Sequence, residues 1–321
     1  MEMSVYTVHL YQYIAGETTS AALQLSSGMV RFLLSVFMKQ HFKCKLLTAL
    51  LLVVIVIITI SLWADSSERL ARKCFSNHVN IQEHNIQMLP DIMSASKIPT
   101  LGKSIFFHET SCADGIVSLN ARQGCAIESA ALANPEWDVF LLFASPVGFS
   151  NKTAKSAAIS ALELYPNVHF RNVNLWSYSM DTPISSFING GQLFRSKYVN
   201  SHTSDFLRYL SLYKWGGTYL DLDVIVKQPF DKIKPNYAGA ESEKFVAAGL
   251  INFDYKNVGH DIAEECLYEF VRGFDGDDWG NNGPGVITRV LQKRCLTTNP
   301  ALMTRERCNS FNVFPVNKVY A

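Results

Sequence analysis

Hydrophobic and polar positions along the chain fall into three regimes. Residues 46–63, LLTALLLVVIVIITISLW, form an eighteen-residue run without a charge. A helix of that length rises roughly 27 Å, at about 1.5 Å per residue, and just spans the hydrocarbon core of a bilayer. A buried core helix is rarely apolar on every side, so a run that is apolar all round points to lipid. Residues 64–100 scatter single apolar positions among polar ones and are predicted to be a stem. From residue 101 onwards the pattern becomes short apolar runs alternating with helical periods. SIFFHET (104–110), DVFLLFA (138–144), NVHFRNV (167–173) and TYLDLDVIV (218–226) are strand candidates, and helices are predicted over 122–133, 152–164, 204–215, 260–272 and 284–293. Such alternation predicts an α/β fold with a mainly parallel sheet flanked by helices, and such sheets bind ligands beyond the carboxyl ends of their strands.

The stretch SHTSDFLRYLSLYKWGG before the last strand has its own signals. Thr203 or Ser204 is a candidate N-cap, Phe206, Leu207, Leu210 and Tyr213 give the apolar period, and Gly216-Gly217 is a stop. Asp205 and Arg208 stand three apart and therefore share a helix face, as an exposed ion pair would. In an extended run Thr218, Leu220, Leu222, Val224 and Val226 point one way, and Tyr219, Asp221, Asp223 and Ile225 the other. Two carboxylates side by side repel and lose hydration unless something compensates them. A hard divalent ion would do so, since magnesium and manganese take one or two carboxylates together with substrate phosphate oxygens. Metal-assisted handling of a phosphate or diphosphate is the chemistry this implies. A D-x-D spacing alone also fits surface carboxylates, or the nucleophile and acid of an aspartate-dependent phosphatase, whose motif usually comes earlier in its domain.

Composition and charge narrow the setting. The formal net charge of +1, with 18% charged residues, gives no reason to expect a nucleic-acid partner. Arg31, Lys39, Lys43 and Lys45 precede the apolar run and Asp65 and Glu68 follow it, so residues 1–45 are expected in the cytoplasm and the C-terminal part in a lumen, a type II signal anchor. The short span suits a thin, early secretory membrane. Asn151-Lys152-Thr153 is an N-glycosylation acceptor on the lumenal side. Among the seven cysteines, Cys112 with Cys125 and Cys295 with Cys308 are spaced as loop-closing disulfides. Residues 1–37 carry no sustained period and are given no role.

SDFLRYLSLYKWGGTYLDLDVIV resembles the signature of glycosyltransferases with the GT-A fold, in particular the lactosylceramide 4-alpha-galactosyltransferase and alpha-1,4-N-acetylglucosaminyltransferase family. FFHETSC, CAIESAALANPEWDVFLLF, VAAGLINFD and WGNNGPGVITRVLQKRC resemble further blocks of that family, so the similarity runs over about residues 104–315. The resemblance implies a Golgi membrane enzyme of residues 101–321 behind the anchor and stem. Such an enzyme transfers galactose, or an N-acetylhexosamine, from a UDP-sugar such as UDP-galactose in α1,4 linkage, with retention, to a glycolipid acceptor such as lactosylceramide. Asp221 and Asp223 match the D-x-D that holds Mn2+ (or Mg2+) against the donor diphosphate. Asp205 and Arg208 match residues that contact the donor sugar and its phosphate, and Asn282 lies on the loop lining the sugar pocket. Tyr219 precedes the motif where the nucleotide lies, and Phe107 and Glu109 stand where the uracil is expected. Trp279 fits the core equally well. The family continues beyond the region of FNVFPVNKVYA, with a further metal or diphosphate ligand there, so the catalytic domain is expected to be truncated at its C-terminal end. The other class of protein this leaves open is an inactive, membrane-anchored homologue that binds UDP-sugar or glycan and acts as a partner protein.

Overall fold

The computed structural model describes residues 22–76, 86–112 and 115–319. Residues 1–21 of the expected tail and 77–85 of the expected stem lie outside the described residues. The chain divides into two units, Met1–Ala64 and Asp65–Ala321. A long helix, α1 (Ala22–Phe75), runs through the first and ends in the second. Its segment Lys45–Leu62 is long and apolar enough to cross a membrane.

The second unit begins earlier than the sequence pattern suggests. The last turn of α1 is part of it: Phe75 is fully buried, and Arg72 lies over the Phe194 ring with its centroid 5.0 Å away. Strand β1 (Ile86–Met88) follows, and Leu89 and Ile92 are buried. Residues 86–100, expected in the stem, are thus built into the folded unit.

The core elements then come in order: β2 (Ser104–Glu109), α2 (Ala121–Ala133), β3 (Asp138–Phe143), β4 (Gly148–Ser150), α3 (Ala157–Leu162), β5 (Val168–Asn172), α4 (Leu175–Ser179), α5 (Ser185–Gly190) and α6 (Val199–Trp215). After them come β6 (Gly217–Leu220), β7 (Tyr237–Ala240), β8 (Val246–Phe253), α7 (Asn257–Gly273), α8 (Pro284–Cys295), β9 (Asn312–Phe314) and α9 (Val316–Val319). Seven strands form one sheet in the order β5-β3-β2-β6-β8-β7-β9, while β1 pairs with β4 apart from it. Strands β5, β3, β2 and β6 are parallel, β8 runs antiparallel to β6 and β7, and β9 is parallel to β7. This is the mainly parallel, helix-flanked α/β sheet that the sequence predicts. Residues alternate across it: Ile105 and Phe107 join the apolar core that holds α2 and α3, and Phe106 joins the core that holds α6, α7 and α8.

The chain leaves β2 towards β3 and β5 on one side and returns to place β6 on the other. A sheet whose strand order reverses in this way opens a crevice at the carboxyl ends of the two central strands. Here those ends are Glu109 and Leu220, and Asp221 is the next residue.

Two local expectations change. The expected strand over 218–226 stops at Leu220: the Asp221 amide still bonds to Gly249 O on β8, but the Val224 amide then turns the chain back onto Asp221 O. The alternation assigned to Asp221 and Asp223 therefore does not exist. The helix expected from 204 starts at Val199, and Thr203 sits inside it with its hydroxyl on Val199 O rather than capping it. Its stop is as expected, with Gly216 and Gly217 both at positive φ.

The cysteines correct a pairing. Cys295 joins Cys308 as expected, but Cys112 joins Cys74, which leaves Cys125 exposed and free. Twelve intervening residues made 112 and 125 look like a loop closure. Cys125 falls instead in the second turn of α2, whereas the end of α1 brings Cys74 to within 5.6 Å of Cys112, Cα to Cα.

Candidate active site

A cavity of about 370 Å3 opens at the crevice. Glu109, Thr110 and Ser111 come from the end of β2, Ser204, Asp205 and Arg208 from α6, and Asp221 from the end of β6. Ala248 and Gly249 of β8, Glu241 of the β7–β8 turn, and Trp279 and Pro284 of the loop before α8 complete much of the wall.

Arg208 is the hub. It is buried, and its Nη2 lies 2.9 Å from Asp205 Oδ1 and 3.7 Å from Asp221 Oδ1. Its Nη1 donates to Ala248 O at 2.8 Å, and the guanidinium lies over the Tyr219 ring, 4.8 Å from its centroid. Tyr219 in turn donates its hydroxyl to Asp221 Oδ1 at 2.6 Å. The i, i+3 pair Asp205 and Arg208, which alone would read as a surface ion pair, is thus buried and braced from β6 and β8.

Burial pushes the Asp205 carboxyl up to about 7, Arg208 pulls it down, and Asp221 adds to the rise. Burial also opposes the charge on Arg208, but Tyr219, Asp221 and Asp205 outweigh it and hold the guanidinium above its ordinary range. One cation is shared between two carboxylates in a partly dry cleft, the kind of imbalance that marks functional sites.

The expected residues separate. Asp205, Arg208, Asp221 and Glu109 meet at the cavity. Glu109 accepts from the Ser111 amide at 2.8 Å and from Gln123 Nε2 at 2.9 Å, which fixes the β2 rim. Tyr219 stands behind Arg208 and Asp221 rather than on the wall. Asn282 is fully buried behind the loop, bonding both Asp275 O and the Asp275 amide, with its Nδ2 3.0 Å from His202 Nε2. Phe107 is fully buried in the apolar core, and Asp223 is exposed in the turn after Asp221; the structure brings neither to the cavity wall. Sequence reasoning missed His108, which lies beside Tyr219 with ring centroids 4.8 Å apart. Burial, aided by Arg208, lowers its imidazole to about 3, so it stays neutral. A histidine inside an apolar strand carries no periodic signal that would mark it.

A divalent ion fits the donor set here. All the acidic side chains on the wall offer hard oxygens, and Asp221 Oδ2 lies where a Cβ on Gly249 would come within 2.6 Å of it, so glycine keeps that carboxylate edge clear. Among the described residues no group of three or more His, Cys, Asp or Glu could hold a metal ion.

Residues 120–240 match the glycosyltransferase sugar-binding region containing the DXD motif. Residues 255–321 match the alpha 1,4-glycosyltransferase conserved region. It is 31% identical over 217 residues to lactosylceramide 4-alpha-galactosyltransferase of Mus musculus, covering 68% of this chain and 58% of that one. To the protein of the same name from Homo sapiens it is 30% identical over 222 residues, with 69% and 60% covered. To alpha-1,4-N-acetylglucosaminyltransferase of Homo sapiens it is 27% identical over 198 residues, with 61% and 57% covered. The chain thus spans somewhat under two thirds of these curated relatives.

Proposed function

We propose that this chain transfers a hexose, galactose or an N-acetylhexosamine, from a UDP-sugar in α1,4 linkage to a glycolipid acceptor such as lactosylceramide. The observation that carries the reading is the Asp205–Arg208–Asp221 cluster at the switch point of the sheet, in a wall that includes the matched DXD region. Asp221, on the cavity wall, would hold a divalent ion, Mn2+ or Mg2+, together with the donor diphosphate, and Asp223, off the wall in the exposed turn two residues on, would be its second carboxylate. Bound there, the ion supplies charge neutralisation for the departing UDP.

The chain's own groups do the rest. The Arg208 guanidinium, held charged by Asp221 and Asp205, faces the phosphate end of the donor and stabilises the charge that grows there. Asp205, pinned by Arg208 and with Gly283 close against its Oδ1, accepts from donor-sugar hydroxyls and fixes the ring. The bond from sugar C1 to the diphosphate oxygen breaks, the acceptor hydroxyl oxygen bonds C1 on the same face, and its proton passes to the departing phosphate. Tyr219 keeps Asp221 in register by its 2.6 Å hydrogen bond. Retention follows from that single-face exchange without a covalent adduct. The apolar segment of α1 supports a type II Golgi membrane protein with this site in the lumen.

The test is UDP release by the full-length chain in detergent with UDP-galactose or UDP-N-acetylhexosamine, Mn2+ and lactosylceramide. Metal-dependent transfer, lost in Asp221→Asn, supports the reading. UDP binding without turnover under all donors would favour the inactive partner protein instead.

A further inference from the structure

The cavity wall carries two groups that the donor chemistry leaves unused. Trp279 is 60% exposed although it lines the cavity, an unusual position for the largest apolar side chain. It is not loose. Its Nε1 donates to Ser201 Oγ at 3.3 Å, and the loop beneath it is turned by Asp278, whose Oδ1 accepts from the amides of Gly280 at 2.9 Å and Asn281 at 3.2 Å. Behind the loop, Asn282 bonds Asp275 and approaches His202, as described above. The ring is therefore committed through its only polar atom and presents apolar faces to the opening. Glu241 is the second group. Its amide bonds to Phe245 O at 2.9 Å and shapes the turn, while its exposed carboxylate makes no hydrogen bond or ion pair among the described residues.

A pyranose has a face of C–H groups and a rim of hydroxyls. A fixed aromatic ring and a free carboxylate lining one cavity match both, the ring through dispersion and apolar burial, the carboxylate as an acceptor from hydroxyls. The donor sugar is served by Asp205 and Arg208. The loop that carries Trp279 continues to Gly283, where a Cβ would come within 2.3 Å of Asp205 Oδ1, so the loop abuts the residue that orients the donor sugar. A ring so placed stands beside the sugar to be transferred rather than at the β2 rim.

We infer that Trp279 and Glu241 form the acceptor subsite, in which the terminal hexose of the acceptor lies on the Trp279 ring and gives a hydroxyl hydrogen bond to Glu241. The inference rests on the proposed transfer reaction for the word acceptor, but the site itself is a hexoside-binding site and is tested without turnover.

The experiment uses the full-length chain in detergent with UDP and Mn2+, and methyl β-lactoside as the probe, followed by saturation-transfer NMR. In parallel, UDP affinity and UDP-galactose hydrolysis are measured. Trp279→Ala is expected to weaken lactoside binding tenfold or more and to raise the acceptor KM equally, with UDP affinity and donor hydrolysis unchanged within twofold. Trp279→Phe should restore most of the binding, and Glu241→Gln should weaken it severalfold. Because Trp279 is exposed, an unchanged melting temperature is expected in each variant. Lactoside binding that survives Trp279→Ala, or a parallel loss of UDP affinity, overturns the inference. Lactoside binding lost in Trp279→Ala by a chain that binds UDP yet transfers nothing upholds the subsite and sinks the transferase reading. A wild-type chain that binds no lactoside sinks the subsite.

Discussion

Two ionic clusters on the same side of the sheet are built with opposite stoichiometry. At the cavity one cation, Arg208, serves two carboxylates, Asp205 and Asp221. Between α7 and α8 one carboxylate, Glu269, is held by three cations: Arg272, Arg289 at 2.7 Å and Lys293 at 2.9 Å. Burial raises both carboxyls, but at Glu269 the hydrogen bonds from Lys293, Arg289 and Arg272 more than offset it and hold the group below its usual range. At Asp205 burial wins over Arg208. A saturated anion is finished and serves the fold, bonding α7 to α8 and, through Arg289 Nη1 on Asn281 Oδ1 at 3.0 Å, to the loop that bears Trp279. An undersupplied pair still wants positive charge, and the cavity is where a cation and a diphosphate would arrive together.

The strongest way to break this contrast is Arg208→Ala. It strands Asp205 in a buried site, and we expect a loss of about 3–5 kcal/mol of stability in thermal unfolding, as for other buried pairs cut on one side. Transfer should fall by roughly 10²–10³ or more in UDP release. Asp221→Asn comes next. It keeps the Tyr219 hydrogen bond to an amide oxygen, so the melting temperature should hold while activity drops by about 10²-fold. Asp223→Asn, in the exposed turn, should cost less and show chiefly as a higher Mn2+ requirement in a metal titration.

Glu269→Gln sharpens the other half. Its partners reach solvent, with Arg272 and Lys293 largely exposed, so the loss should be only about 1–2 kcal/mol in denaturant melts, with turnover of the folded fraction near wild type.

The smallest effect, and the one that separates the two clusters most cleanly, is their pH response. Asp205 keeps its proton in the native chain up to about 7, well above an unfolded aspartate, so its contribution is full at acid pH and fades as pH rises through about 7. Glu269 is depressed, so its contribution is present above the ordinary glutamate range and fades as pH falls through its native value. Melting temperature against pH should therefore lose its neutral-side decline in Asp205→Asn and part of its acid-side decline in Glu269→Gln.

How much of this was legible in the sequence depends on the reach of each interaction. The strand and helix alternation, the glycine stop at 216–217 and the spacing of Asp205 and Arg208 are written in local periods, and the fold obeys them. The end of β6 carries no glycine or proline signal: the Val224 amide turns back onto Asp221 O, so of the nine residues 218–226 that read as a strand only three, 218–220, belong to one. The burial of Phe107 against its neighbour His108, which stands near Tyr219, depends on which face of the sheet each residue meets, and a continuous apolar run in a sheet covered on both sides hides this. Trp279 was equally readable as core; only the loop held by Asp278, Asn282 and His202 decides that it stands in the opening.

The bond between Cys74 and Cys112 changes what a cut in the chain would mean. It closes over 38 positions, from the end of the helix that carries the apolar segment to the residue just past the cavity rim at Ser111. Proteolysis anywhere between those two cysteines would nick the polypeptide without dividing the molecule. Release of the cavity-bearing part would then need a reductant as well as a protease, and a nicked sample should migrate as one band before reduction and as two after it.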